Sequence, residues 1–586
     1  MHSDSNHEAR AATLLYLLRE RAAQLAGKTA YTFLEDGEEI GESITYAQFA
    51  DRVLALAVSL RGQLVAGDRV LLLYPACIDY MVAFFACSCA GIVAVPVFPP
   101  RGGKRNLRLE AIARDCKPRA ALLSSRKLLH VDAAMAASPE LAQLQVICTD
   151  SVPAAAAGWV GPDINSDTLA FLQYTSGSTG LPKGVMVSHG NVLHNEHMIG
   201  ACFESDSDTT TVTWLPIYHD MGLIGNMLQS FWLGGHCVFM APVAFLQRPI
   251  RWLRAITRFG ARVSGGPNFS YDLCVDRIAA VDRQQLDLSS WEVAFNGAEP
   301  IRHATLERFA ATFAPHGFSK RAFHPCYGMA ESTLIASGGD AKEQPTYKWV
   351  DKTQLTQRRI VETQPGIGQA LVSSGRTAPG QLMRIVDPAT QLPCQPGTVG
   401  EIWLAGPHIA RGYWERPQIN TEIFNAHVIG SNEGPFLRTG DLGFLDREHL
   451  YIAGRSKDVI IVRGANHYPQ DIEASVEVAD PALNPAGVAA FGVIDDGIER
   501  VIVVAEVGRS ALRRLDSKLL VSRIRQQVLE QRDVVVDVVV LIRPGTLPKS
   551  SSGKVQRGRC RTLYLADQLD RVSKDDQTAP AAVADA

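Results

Sequence analysis

From residue 69 onward, short apolar runs alternate with longer stretches whose apolar side chains recur every three or four positions. Arg69-Val70-Leu71-Leu72-Leu73-Tyr74 is nearly continuous in apolar character, as expected of a strand covered on both faces. The pattern then predicts a helix over 80–89, a strand over 92–97, a helix over 107–115 and a strand over 120–123. The same alternation returns with a strand over 211–215, helices over 221–232 and 249–259, and strands over 236–239 and 262–264. Such repeated strand–helix–strand units predict doubly wound α/β sheets. Ahead of them, helical spacing over 46–60 follows a hairpin-like stretch over 31–44.

After Gly380 the rhythm shortens. Apolar runs over 383–386, 400–404 and 443–445 are split by Pro388 and Pro396-Gly397, which predicts a small β-rich subdomain. Beyond Gly454 the order is strand (459–462), helix (469–478), strands (487–493 and 501–507), helix (510–531) and strand (534–542), a compact α+β domain of its own. The polar strip Gly454-Arg455-Ser456-Lys457-Asp458 separates the two. The expected organisation is a large domain over 1–454, a hinge over 455–458 and a small domain over 459–586. Residues 1–12 and the Ala/Asp-rich tail over 574–586 are expected to be disordered. After Leu565 the sequence turns polar, so no fused carrier domain is expected.

Composition narrows the classes. At 586 residues, two or more domains are expected. A net charge of −3 argues against a general nucleic-acid binder. The N-terminus lacks the order of a signal peptide, and the apolar stretch over 92–100 is too short to span a bilayer and is broken by Pro96. Eleven cysteines form no CxxC pair, which fits a reducing cytoplasm and no cysteine-built metal site.

The stretch that organises the rest is Tyr174-Thr175-Ser176-Gly177-Ser178-Thr179-Gly180-Leu181-Pro182-Lys183-Gly184-Val185, delivered by the apolar run over 169–172. Glycines between small hydroxyl residues let backbone N–H groups crowd an anion. Lys183 adds a point charge, and Thr175, Ser176, Ser178 and Thr179 can reach phosphate oxygens or a cation. The G-x-x-x-x-G-K-[ST] order is absent, which excludes a P-loop NTPase. A flexible Gly/Ser linker would carry no Thr, Pro and Lys at fixed places between two apolar segments.

This loop resembles the signature of the adenylate-forming superfamily of acyl-CoA synthetases, peptide-synthetase adenylation domains and luciferases. Four further stretches match in the same order: Asn296-Gly297-Ala298-Glu299-Pro300, Tyr327-Gly328-Met329-Ala330-Glu331, Thr439-Gly440-Asp441-Leu442-Gly443 and Pro548-Lys549-Ser550-Ser551-Ser552-Gly553-Lys554. The resemblance implies ATP and Mg²⁺ as cofactors. By it, Gly297, Ala298 and Glu299 lie along the adenine edge, and Tyr327, with Gly328, Met329 and Ala330, packs on the base. Glu331 holds the metal with help from Thr175, Asp441 takes the ribose hydroxyls, and Arg455 adds a ribose or phosphate contact. Lys554 is the catalytic lysine over the reacting atoms, and Lys457 is the hinge.

Trp214-Leu215-Pro216-Ile217-Tyr218-His219-Asp220-Met221-Gly222-Leu223 occupies the place where amino-acid-activating relatives keep an aspartate for the substrate ammonium. In this motif, typical of fatty-acid activators, Asp220 follows His219, and His219 joins the catalytic candidates. The expected pocket lining is apolar or small: Ile224, Met227, Leu228, Ser264, Gly265 and Asn268, which suits an alkyl chain. The stretch over 463–473 and a segment over 338–374, longer than a CoA ligase needs, resemble the fatty acyl-AMP ligases. There an inserted piece, here including 347–359, packs on the large domain and is thought to hinder the rearrangement that CoA transfer requires. The resemblance implies activation of a medium- or long-chain fatty acid and transfer to the phosphopantetheine thiol of an acyl carrier protein, by a monomer or weak dimer. A long-chain acyl-CoA synthetase using free CoA is the alternative. Carrier proteins are acidic, and a helix over 509–532 with Arg513, Arg514, Lys518, Arg523 and Arg525 offers a basic face for one.

Overall fold

The computed structural model describes residues 13–99, 106–125, 135, 138–150, 159, 161–175, 182–339, 343–462, 465–495, 498–550 and 553–572. The expected disordered ends lie outside the described residues, as do Ser176, Gly177, Ser178 and Thr179 of the phosphate loop and Arg463-Gly464.

Two sheets carry the large N-terminal portion. The six-stranded one runs Gln145–Cys148, Ala120–Leu123, Arg69–Leu72, Val93–Pro96, Leu169–Thr175, Lys183–Ser188, with parallel neighbours except for the last pair. The apolar runs pair here because both faces are covered. Helix Ile78–Cys89 buries every residue except Asp79. Leu169–Thr175 and Lys183–Ser188 form an antiparallel hairpin with Thr175 opposite Lys183. Both residues therefore flank the phosphate loop at its neck.

The second sheet has 14 strands. Its parallel block, Thr29–Leu34, His236–Met240, Thr210–Thr213, Val263–Gly266, Val293–Asn296 and Phe323–Gly328, has Ile40–Thr45 antiparallel on its edge. The β-rich stretch expected after Gly380 is hydrogen-bonded into this sheet. The join is the antiparallel pair Phe323–Gly328 and Ile335–Gly338, followed by Gln369–Thr377, His449–Arg455, Leu437–Asp446, Gly400–Ala405 and Leu382–Val386. Gly328 makes that join possible: a Cβ there would stand 1.8 Å from the Leu334 carbonyl oxygen.

From Ile460 on, separate apolar clusters form around the sheet Leu483–Asp495, Ile498–Val507, Val538–Ile542. Ile472 and Val476 of helix Pro469–Glu477 and the buried side chains of helix Ser517–Arg532 join one cluster, and Cys560 of helix Arg557–Leu565 joins the other. The helix expected from 509 or 510 begins only at Ser517, because the Asp516 side chain accepts from the Leu519 N–H and caps it. Arg513 and Arg514 lie on the preceding 3₁₀ turn Leu512–Arg514. Arg523 is paired with Asp480, and Arg525 donates to the Val536 and Asp537 carbonyls, so the basic face is narrower than the sequence suggests.

The helix expected over 221–232 is three pieces: α over Asp220–Gly222, π over Leu223–Leu228 and α over Gln229–Leu233. The piece over 347–359 forms strand Tyr347–Val350, antiparallel to Gln369–Thr377, and helix Lys352–Thr356. Tyr347 and Trp349 pack on His303, with ring centroids 4.5 and 5.6 Å away. Its other side meets the C-terminal portion, where Asn466 donates to the Thr356 carbonyl at 2.8 Å and Lys352 to that of Gln531 at 3.4 Å.

Candidate active site

One cleft runs between the strand ends of the large portion and the loop before helix Arg557–Leu565. Thr175, Lys183, His219, Glu331, Asp441 and Lys554 all line it. Lys554 comes from the C-terminal portion, more than a hundred residues beyond Asp441, yet the charges of Asp220, Glu299 and Asp441 support its ammonium. Burial and repulsion by Arg455 outweigh them and leave it below the usual lysine range. The loop that presents Lys554 is pinned locally. The Ser550 N–H donates to the Lys554 carbonyl at 2.7 Å, and the Lys554 N–H to Ser550 Oγ at 3.1 Å. Arg557 anchors the loop's far end through a two-pronged pair with Glu473, both contacts at 2.7 Å.

Facing it, Asp220 lies 2.5 Å from His219 Nδ1 and accepts from the Met221 N–H at 2.7 Å. Burial alone raises a carboxyl, but His219 and Lys554 hold that of Asp220 at about 2. A carboxylate whose pKa falls on folding adds stability that is complete above its unfolded pKa near 3.8 and is lost as the pH drops through the folded value. Asp220→Asn is therefore expected to remove a stabilising slope of roughly 2 kcal/mol between about pH 4 and pH 2. Denaturant titrations at stepped pH measure it.

The nucleotide-binding candidates are interlocked. Tyr327 Oη donates to Asp441 Oδ2 at 2.8 Å, and Arg455 Nε lies 3.1 Å from Asp441 Oδ1. Asp441 and Arg455 are direct partners on neighbouring strands. Asp441 is 6 % exposed, so its carboxylate is fixed by two donors and aimed into the cleft edge. Glu331 is buried on the turn after Phe323–Gly328 and accepts from Tyr413 Oη at 2.7 Å. Burial, partly offset by that hydrogen bond, raises its carboxyl. The Tyr413 ring also carries Lys183 Nζ, 4.7 Å from its centroid. Tyr413 thus ties Glu331 to Lys183, and nothing in its sequence neighbourhood points to this role. Gly328, Met329, Ala330 and Ala298 also line the cleft, whereas Gly297 lies behind it, where a Cβ would meet Cys326 Sγ at 2.9 Å. Ala298 has φ +70, a kink that turns the chain after Val293–Asn296. Glu299 accepts from the Phe269 N–H at 2.6 Å and feels the charge of Lys554. Lys457 is exposed at the cleft rim on the 3₁₀ turn Ser456–Asp458.

The expected acyl lining is displaced. Asn268 lines the cleft, but Ile224, Met227, Leu228, Ser264 and Gly265 do not. Ile224, Met227 and Leu228 point into the core, and Tyr31 Oη donates to the Met227 carbonyl. Ser264 is occupied by Trp252 Nε1 and the Val212 carbonyl, and Gly265 lies against the Phe295 carbonyl. The wider π turn presents Gly225 and Asn226 instead, next to Gly222 just before it. Phe203, Phe295 and Leu334 line the same cleft, and with Gly222 and Gly225 they make the apolar part of its lining, the apolar arm.

The sequence pattern of the AMP-binding enzyme family matches residues 18–414, and that of the Disco-interacting protein 2-like AMP domain matches 457–574. The chain belongs to the AMP-binding, adenylate-forming enzymes. Within this family it is 44 % identical over 568 residues to the medium-chain-fatty-acid–acyl-carrier-protein ligase JamA of Moorena producens, covering 95 % of this chain and 96 % of that one. It is 37 % identical to the long-chain-fatty-acid–AMP ligase FadD32 of Mycolicibacterium smegmatis, covering 94 % of each. Among solved structures, the fatty acyl-adenylate ligase of L. pneumophila in complex with acyl adenylate and pyrophosphate superposes with TM-score 0.75 at 38 % identity, over 96 % of this chain and 97 % of that one. A structure from a study of the fatty acyl-adenylate ligases of E. coli and L. pneumophila gives TM-score 0.85 at 31 % identity, over 95 % and 98 %. As an adenylate-forming enzyme the chain is ATP-dependent.

Proposed function

We propose that the protein activates a medium- or long-chain fatty acid with ATP, releasing pyrophosphate, and then passes the acyl group to the phosphopantetheine thiol of an acyl carrier protein. The observation that carries this reading is the meeting of Lys554 with Asp220, Glu299 and Asp441 in a cleft that Thr175, Lys183 and apolar side chains also line. The carboxylate oxygen attacks the α-phosphorus, the acyl–oxygen–phosphorus bond forms, and the bond to pyrophosphate breaks. A preorganised ammonium over those atoms stabilises the charge that accumulates there. Asp441 and Arg455 hold the ribose, and Tyr327 and Met329 border the base.

Glu331 and Thr175 would hold Mg²⁺. A buried carboxylate resists remaining a lone anion, and hard oxygen donors that need only complete a phosphate-bound ion suit this metal. The ion supplies charge neutralisation on the phosphates when bound. Among the described residues no helix is long and apolar enough to cross a membrane, and action on a fatty acid in the cytoplasm accords with that.

Lys457 is the proposed pivot for the second step, its place between the last strand of the long sheet and the C-terminal portion supporting the reading. Lys457→Pro is expected to spare pyrophosphate release and to lower thioester formation by about tenfold. Equal loss in both steps would count against the pivot. The function as a whole is tested by pyrophosphate release over fatty acids of graded length, with a loaded carrier protein and free CoA compared as acceptors by product mass. Release with none of these acids overturns the reading, and thioester on CoA alone would favour a CoA synthetase.

A further inference from the structure

The apolar part of the cleft lining is bordered by an unusual turn. Thr333, a β-branched residue with no exposed surface, adopts φ 66 and ψ −61, a backbone conformation that side chains of this shape rarely tolerate. The Leu334 N–H donates to the Ser332 carbonyl at 2.8 Å, closing a three-residue γ-turn. The surroundings hold it there. Thr333 Oγ1 donates to the His408 carbonyl at 2.6 Å, and buried Asn195 donates to the Ile335 carbonyl at 3.0 Å while accepting from the Ile335 N–H at 3.1 Å.

The turn aims Leu334 at the π-helical segment Leu223–Leu228. A Cβ at Gly225 would lie 2.9 Å from Leu334 Cδ2, with no other heavy atom within 4 Å. Gly225 and Leu334 both line the arm. Phe203 and Phe295, also in the lining, stack with centroids 5.9 Å apart. Strain maintained by a clamped turn, opposite the one residue that leaves room for the side chain it presents, marks Leu334 as a placed element. Its isobutyl group and an acyl chain would compete for the same apolar space.

We propose that Leu334, seated against Gly225, is the stop that sets the length of acyl chain the enzyme accepts. The inference rests on the fatty-acid reading above. Leu334→Ala removes three carbons from the lining, room for about two further methylenes. Since each buried methylene is worth about fourfold in binding, preference for an acid two carbons longer than the wild-type optimum is expected to rise by about tenfold in kcat/KM. Gly225→Val drives Leu334 into the arm and shifts the optimum to shorter acids. The double variant, in which the valine occupies the vacated space, is expected to return toward the wild-type profile. Pyrophosphate release across graded saturated acids reads all three. Should Gly225→Val fail to fold, Gly225→Ala already sets a Cβ against Leu334 and predicts the same direction. Length profiles that coincide with wild type in the folded single variants overturn the stop while leaving the fatty-acid reading intact. Wild-type protein that releases no pyrophosphate with any fatty acid overturns that reading, and the stop with it.

Discussion

Lys554→Ala protein is expected to form acyl-adenylate about a hundredfold to a thousandfold more slowly than wild type. The attacking carboxylate and the α-phosphate are both anions, and the lysine is the cation that the C-terminal portion brings to them. It comes into a site where three carboxylates already wait, so its removal leaves Asp220 and Glu299 buried without their shared counter-charge. ATP–pyrophosphate exchange measures the loss. Thioester formation from acyl-adenylate supplied ready-made is expected to change little, because that step begins after the phosphorus chemistry is finished. The pH profile gives a second check. Burial draws the Lys554 pKa below the ordinary lysine range, so adenylate formation should fall on an alkaline limb earlier than a free lysine would give. Exchange at wild-type speed in the alanine variant would falsify the mechanism.

Asp441→Asn is expected to raise KM for ATP by about tenfold to a hundredfold. The carboxylate is nearly fully buried and accepts from Tyr327 Oη while pairing with Arg455. The amide keeps the shape but loses the charge and one acceptor oxygen, so both the ribose hydroxyls and the guanidinium lose their anion. The effect should fall on nucleotide affinity more than on fatty-acid KM, because the apolar arm lies elsewhere in the cleft. Equal weakening of both substrates would instead indicate a general collapse of the site.

Much of the architecture could be read along the chain, for identifiable reasons. Continuous apolar runs such as 69–74 mark doubly covered strands because a strand buried on both faces has no side left for polar residues. Motifs such as Tyr327–Glu331 and Thr439–Gly443 are dense enough in special residue types to stand out before any packing is known. What could not be read depends on contacts between distant segments. Apolar or small side chains after His219-Asp220 suggest Ile224, Met227 and Leu228 as acyl wall, but in the π turn Leu223–Leu228 these join the core, and Gly225 and Asn226, with Gly222 just before, line the cleft. Tyr413 sits far from Glu331 and Lys183 in sequence, and only folding shows that it touches both. The β-rich stretch resembled a separate unit because its strands are short and turn-broken, while the hydrogen bonds that fuse it to the parallel block involve residues before Gly380. The helix at Ser517 started late because Asp516 outcompetes the apolar spacing upstream of it.

Arg455 is the final residue of strand His449–Arg455 and the last stiff position before the Ser456–Asp458 turn. Its cross-strand partner is the same Asp441 proposed to hold the ribose. A nucleotide held there grips the rigid stub from which the C-terminal portion would swivel. Departure of AMP after transfer would therefore slacken that tether at the moment the enzyme must reset, coupling emptying of the pocket to the return stroke.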